Sequence, residues 1–249
     1  MKTIKLFLLS ATILISFSLK AAEPEAIKKR IVIDLGHGQK FWANPATMKQ
    51  DDKQLYERAK YLTSEMEKVT ATLNAEFEFQ HGKLDKENLG KCDLLFVQVP
   101  TKKFSKNEVA AVYQYLQKGG SMYLVMDEDY WSTLKQTRVN ELIKPFGIEY
   151  KSQNPDTING GYSKAGSITP EKLRIPFHGA RIVEGGTPFC YSKQSERFPF
   201  GVYKQLPGGG KLIVMGDGMV SLFMTSWKGE KNYQCRDFMH DSFKWLMEK

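Results

Sequence analysis

Apolar positions along the chain fall into two alternating rhythms. From Ile31, "IVIDLG" is a continuous apolar run carrying one Asp, the pattern of a parallel strand covered on both faces. Between residues 51 and 73, Leu55, Ala59, Leu62, Met66 and Val69 recur at helical spacing. "EFEFQ", ending at His81-Gly82, predicts a second strand, and "DLLFVQVP" from Asp93 to Pro100 a third. The next helix opens on a capping box, Ser105 with Glu108, shows Val109, Val112, Tyr113 and Leu116 on one face, and stops at Gly119-Gly120. "SMYLVMDED" is a fourth strand, followed by a helix around Val139 to Phe146. This alternation predicts an α/β fold: a doubly wound, mostly parallel sheet in three layers, of flavodoxin type.

Residues 151–210 break the rhythm with paired glycines and several prolines, and read as an irregular insertion of loops and edge strands rather than a separate domain. Within it "TPEKL", from Thr169, predicts a short capped helix with Pro170 in its first turn. "KLIVMGDG" then restores a strand, and "YQCRDFMHDSFKWLMEK" a closing helix presenting Phe238, Phe243, Trp245 and Leu246.

The first residues change the picture of where the chain works. Two lysines, an apolar run from Leu6 to Leu19 and the small residues Ala21 and Ala22 have the layout of a cleavable signal peptide over residues 1–21. That run is short for a membrane span, which needs roughly 20 residues. A polar leader, 22–30, then precedes a single domain over 31–249, periplasmic or secreted, with no stable span after cleavage. Without Lys2, Lys5 and Lys20 the formal charge falls from +8 to +5, and the basic residues are scattered among acids, so nucleic acid is not an expected partner. Three cysteines allow one intramolecular bridge at most; Cys92 reads as a small core residue, so any disulfide joins Cys190 to Cys235.

In an open α/β sheet, ligands bind beyond the carboxyl ends of the strands. The residues there are His37 and Gly38 after the first strand, Thr101 after the third, Asp127 and Asp129 after the fourth, and Asp217 after the last long one. Phe41, Trp42 and Trp131 follow two of these ends, and exposed rings suit the faces of sugars. The glycines beside His37 predict an accessible imidazole. Asp127, Asp129 and Asp217 fit turn and cap roles as well as ligand contacts.

"IVIDLGHG" is similar to the opening of zinc-dependent N-acetylmuramoyl-alanine amidases, where the His is a zinc ligand, and Glu57 could imitate a second ligand. The later Ser-x-His-x-Asn setting of that family is absent: "FVQVPTKKFS" follows the third strand, and His81 and His178 stand in other contexts. Over Ile31 to Met247, the order "IVIDLGHG", "DLLFVQVPTKKFSKNEVAAVYQYLQKGGSMYLVMDED", "LIKPFGI", "FHGARIVEGG" and "GGGKLIVMGDGMVS" resembles the class I glutamine-amidotransferase-like superfamily. Its nearest branch is the exported domains similar to gliding-motility ABC transporter accessory proteins and intraflagellar-transport components. The resemblance implies an amidotransferase-like fold. Active members carry a nucleophilic Cys on a Gly-x-Cys-x-Gly elbow, whereas "SMYLVM" here runs into Asp127, Glu128 and Asp129.

The expected function is therefore an exported, non-hydrolytic binding or scaffold domain, with no cofactor, no metal and no catalytic residue assigned. Its expected partner is a glycan or other small polar ligand, or an envelope protein. The alternative is a hydrolase using His37 with Asp127 or Asp217, and the zinc-dependent amidase is the remotest reading.

Overall fold

The structure, a computed structural model, describes residues 28–248; the signal peptide expected over residues 1–21 lies outside the described residues. The first half follows the predicted rhythm: β1 (Lys29–Asp34), α1 (Lys53–Thr72), β2 (Ala75–Gln80), a single-turn α2 (Lys86–Leu89), β3 (Leu94–Gln98), α3 (Lys106–Gln117) and β4 (Ser121–Val125). Local chemistry sets these boundaries. Asp52 caps α1 by accepting the Leu55 N–H, and the Ser105–Glu108 capping box opens α3 as expected. The helix predicted around Val139 to Phe146 is shorter, split into α5 (Asn140–Ile143) and a 3-10 turn (Lys144–Phe146), and is preceded by α4 (Leu134–Thr137). Pro145, which lacks an N–H, sits where the α-helix gives way.

The insertion carries six short strands joined by turns and loops: β5 (Glu149–Gln153), β6 (Gly161–Ser163), β7 (Leu173–Ile175), β8 (Arg181–Glu184), β9 (Thr187–Ser192) and β10 (Gly201–Gln205). It is followed by β11 (Lys211–Met215), the hairpin β12 (Ser226–Trp227) and β13 (Glu230–Lys231), and α6 (Cys235–Met247). No helix forms at Thr169. Its hydroxyl donates to the Lys164 carbonyl (2.9 Å) and lies in hydrogen-bond contact with the Ser163 hydroxyl (3.0 Å), and its backbone bridges Ala165, so the side chain holds β6 instead of capping a turn.

Nine strands form one sheet in the order β2-β1-β3-β4-β11-β10-β9-β6-β7. The pairings among β2, β1, β3, β4 and β11 are parallel, and those from β11 through β10, β9 and β6 to β7 are antiparallel. The sheet is thus half parallel and half antiparallel, which corrects the expectation of a mostly parallel one. The reason lies in the connections: β9 to β10 and β10 to β11 are too short to carry a crossover helix, so these strands must pair antiparallel.

Two apolar cores cover the faces. One gathers Ile31, Ile33, Phe96, Tyr123, Ile213 and Met215 under α1 and α6; the other gathers Val32, Leu95, Val97, Leu124 and Val214 under α3 and α5. Alternate residues of each strand feed opposite cores, and each fully buried Leu, Ile, Val or Phe contributes roughly 1.5–3 kcal/mol. All three cysteines are free thiols, so Cys190 and Cys235, the pair to which the sequence assigns any disulfide, are unbridged. Cys235 instead donates to the Met224 carbonyl (2.9 Å). Cys92 is half-buried, its sulfur 3.5 Å from the Tyr115 hydroxyl.

Candidate functional site

Because β1, β3, β4 and β11 are consecutive neighbours, the segments carrying His37, Thr101, Asp127 and Asp217 leave the sheet side by side at one end of its strands. Strand order reverses between β1 and β3, where an open α/β sheet would present its crevice. Here that crevice is sewn shut. The Thr101 and Lys102 N–H groups both donate to the His37 carbonyl (2.9 Å each), Lys40 N–H to the Val99 carbonyl (3.2 Å), and the Thr101 hydroxyl to the Gly38 carbonyl (2.6 Å).

His37 is consequently not accessible. It is 4% exposed, with Nδ1 2.9 Å from Asp34 Oδ2, Nε2 3.3 Å from Glu108 Oε1, and its ring stacked on Phe104 at 4.0 Å. Burial works against the imidazolium, but the hydrogen bond and charge of Asp34, with Glu108 behind them, win and hold its pKa above the usual value. Phe41 and Trp42, expected as exposed platforms, are 4% and 3% exposed. Trp42 packs edge-on against Phe96 at 5.3 Å, and Phe41 against Trp131 at 4.8 Å; the loop after β1 turns its rings inward because α1 leaves apolar surface there to cover.

The rim opens instead beside β4 and β11. A cleft of about 310 Å³ is lined by Phe41, Tyr61, Trp131, Met219, Met224 and Trp227, with Arg58 also on its wall. Trp131 is anchored by its N–H to the Glu128 carbonyl (3.1 Å), and Tyr130 beside it is 80% exposed. Asp129 is not in the cleft: its carboxylate pairs with the buried Arg181 guanidinium, whose Nε donates to the Asp127 carbonyl (2.6 Å). Asp127 and Asp217 lie under the rim rather than on it. Asp127 accepts the N–H of Glu128 (2.7 Å) and of Gly218 (2.9 Å), and Asp217 the N–H of His178 and of Met219 (2.7 Å each). Burial pushes both carboxyls up, and the charge of Asp127 adds to the rise at Asp217.

Two half-buried groups near the tryptophans of the cleft stand out as candidates that sequence reasoning passed over: His178, its ring 5.6 Å from that of Trp227, and Glu128, whose carbonyl accepts the Trp131 backbone N–H. Glu128 is half-buried and its carboxyl is raised, chiefly by burial and against the pull of Arg181 and Lys228. His178 is held below its usual pKa by burial and by Lys228, so it is neutral at pH 7. Its Nδ1 lies 3.0 Å from Asn159 Oδ1, an acceptor, which places the proton on Nδ1 and leaves Nε2 as an acceptor. The Glu128 carboxyl rests on Gly179, the residue after His178: a Cβ there would fall 1.1 Å from Glu128 Oε1. The signal for this pair was present in "FHGAR", a His followed by Gly like His37-Gly38, but it lay inside the irregular insertion. Among the described residues no three His, Cys, Asp or Glu side chains converge as a metal site, and no helix is long and apolar enough to cross a membrane.

Comparison with known proteins places the fold first. The chain superposes on the N-terminal domain of mmIFT52 with a TM-score of 0.64, at 14% identity over 88% of this chain and 98% of that one. A Bacteroides uniformis protein described as ThuA-like gives 0.54 at 13% identity, covering 91% and 94%. A Salmonella typhimurium protein described as cytoplasmic gives 0.56 at 9% identity, covering 89% and 100%. At such identities the likeness is one of fold, and that fold includes ThuA-like proteins. In sequence, the family described as the IFT52 GIFT domain matches residues 48–162, which takes in α1 to β5 and the start of β6. No curated protein matches.

Proposed function

We propose that the chain is an exported, non-hydrolytic binding domain of amidotransferase-like fold, doubly wound and three-layered in its parallel half. Its ligand, a glycan or other small polar molecule carried in the envelope, meets the cleft between Trp131 and Trp227. The observation that carries this reading is the rim itself. Aromatic rings wall the cleft that borders the strand ends, with the His178 ring 5.6 Å from that of Trp227 and Glu128 holding the Trp131 backbone N–H through its carbonyl. Rings of this kind cover the C–H face of a sugar while neighbouring polar groups bind its hydroxyls. Where amidotransferases present a nucleophile, this chain has Asp127, tied down by two backbone N–H groups. Burial pushes the Cys92 thiol up to about 12 and raises those of Cys190 and Cys235 further out of reach of ionisation, and a thiol, unlike a thiolate, is a poor nucleophile.

The test is titration of the purified protein with neutral and acidic saccharides, read by tryptophan fluorescence. Trp131→Ala and Trp227→Ala should each weaken the best binder about tenfold or more, the worth of one stacked ring. Unchanged affinity in both would remove the reading. With glutamine as substrate, no ammonia release is expected; release abolished by one Cys→Ser substitution would overturn it too. A second reading, a hydrolase, draws on the neutral His178 with its free Nε2 rather than on His37, which is closed in by two carboxylates. Saccharide hydrolysis lost in His178→Ala would favour it.

A further inference from the structure

The cleft does not end at Trp227. That residue stands on β12, and its partner across the hairpin is Glu230 of β13. Side chains of directly opposed residues leave an antiparallel pair on the same face, about 5 Å apart. Glu230 lines a second cavity, of about 520 Å³, shared with Tyr162, Lys172, Arg174, Lys193 and Gln234. Another route joins the two spaces. The His178 ring lies 5.6 Å from that of Trp227, its Nδ1 lies 3.0 Å from Asn159 Oδ1, and the next residue, Gly160, is again part of the cavity wall. A Cβ on Gly160 would come 3.2 Å from Glu230 Cγ, so the two walls touch at that point.

The two spaces differ in chemistry. Aromatic and other apolar side chains wall the cleft, with Arg58 its one charged residue, whereas the cavity carries three cations and one carboxylate. Lys193 and Glu230 pair with each other. Glu196, close enough for Lys172 to feel, pairs with Lys164 and accepts the Tyr162 hydroxyl. That leaves Lys172 and Arg174 without a carboxylate at ion-pair distance among the described residues. The edge strands hold these two together. Arg174 is the register partner of Tyr162, and Lys172, two residues earlier on the same face, has its Nζ 3.9 Å from the Tyr162 ring centroid. Arg174 Nη1 donates to the Lys231 carbonyl (3.1 Å), which fixes the guanidinium and leaves its other N–H groups unpartnered among the described residues. Gln234 Oε1 accepts the Arg174 backbone N–H (3.1 Å), so its amide nitrogen is a further donor. Two unpaired cations and an amide donor on one cavity select an oxyanion. We propose that this cavity is an acid-binding subsite of the cleft and that the ligand is an acidic saccharide, its neutral ring against Trp131 and Trp227 and its carboxylate or ester sulfate between Lys172 and Arg174. This rests on the reading of the cleft as a saccharide site. Exposed ion pairs are worth little singly, so the subsite acts on the choice between acidic and neutral sugars more than on affinity as such.

The experiment is tryptophan-fluorescence titration of the full chain with an oligogalacturonate, the same oligomer methyl-esterified at every carboxyl, and a sulfated oligosaccharide of matched charge. The acid should bind about tenfold more tightly than the ester at roughly 50 mM salt, and the ratio should shrink to about twofold at roughly 0.5 M. Lys172→Ala and Arg174→Ala, at exposed positions where folding should survive, should each cut the ratio about threefold. Lys91→Ala, at the amino end of β3, should leave it unchanged. Tighter binding of the sulfated oligomer than of the carboxylate, lost in the same two variants, would support the subsite with sulfate as its acid. Equal binding of acid and ester by the parent would overturn the subsite and leave the cleft reading in place, whereas no binding of any of the three would remove both. A ratio unchanged in Lys172→Ala and Arg174→Ala, or lowered as much in Lys91→Ala, would assign the preference to the charge of the whole molecule and overturn the subsite as well.

Discussion

Replacing His37 by alanine is expected to lower the free energy of unfolding by about 3–5 kcal/mol, the cost of breaking a buried ion pair by removing one partner. Asp34 is 0% exposed and Glu108 is 7% exposed, and they approach the imidazole from opposite sides. Without it they face each other as buried carboxylates, and the Phe104 ring loses its stacked neighbour at 4.0 Å. Urea unfolding of the variant reads the loss, and a change under about 1 kcal/mol would show that the triad is not held as an ion pair. The pH dependence gives an independent check. The pKa of His37 is raised in the fold, so its contribution is complete below the unfolded value, 6.5, and is lost as pH climbs through the folded value. Glu108 is lowered: burial opposes ionisation, but the bonds from Ser105 and the charge of His37 outweigh it. Its contribution is present above 4.5 and is lost as pH falls through the folded value. The triad should therefore stabilise most between these two values. His37→Ala should flatten the alkaline side of the profile, and an unchanged alkaline fall would assign that limb to another group.

The strands and long helices were legible because their signals are local. A five-residue apolar run and a capping box need no tertiary knowledge, and β1, β3, β4, α1 and α3 came out as read. Strand order was legible too, since an alternating βα pattern brings the segments carrying His37, Thr101, Asp127 and Asp217 to one end of the strands. What the sequence could not convey was depth. Gly-His-Gly reads as an exposed turn, but whether an imidazole faces solvent depends on Glu108 of α3, 71 positions away and itself readable only as a cap. Phe41 and Trp42 were misread for the same reason, because exposed and buried rings look alike in a loop. The insertion hid most. Its short strands pair over long separations, as Gly161 does with Ser192, and Thr169, a good helix cap by sequence, found partners in Ser163 and Lys164 instead. The one local signal there, His-Gly in "FHGAR", gave no hint that the Glu128 carboxyl comes to rest on Gly179, 51 positions away.

Gly179→Ala is expected to cost about 2–4 kcal/mol, from two causes that a double substitution separates. The first is backbone: residue 179 has φ +72°, where a side chain other than glycine's costs about 1–2 kcal/mol. The second is steric, because the new methyl would lie 1.1 Å from Glu128 Oε1 and 2.3 Å from its Cδ, so the carboxyl must leave its place. The Glu128 side chain can move, but only off its rotamer and against the atoms packed around it, a strain of about 1–2 kcal/mol that leaves the variant folded. Glu128→Ala alone should be mild, since that carboxyl is raised mainly by burial and gains little where it sits. In the Gly179→Ala, Glu128→Ala pair the steric part should vanish while the backbone part remains, giving a coupling of about 1–2 kcal/mol in a double-mutant cycle. Additive costs would mean that the Glu128 carboxyl does not rest on Gly179. The same cycle read by saccharide titration tests the site: moving the carboxyl off Gly179 should weaken binding in Gly179→Ala as much as deleting it does in Glu128→Ala. Weaker binding in Glu128→Ala but not in Gly179→Ala would show that the carboxyl acts from a position other than the one on Gly179.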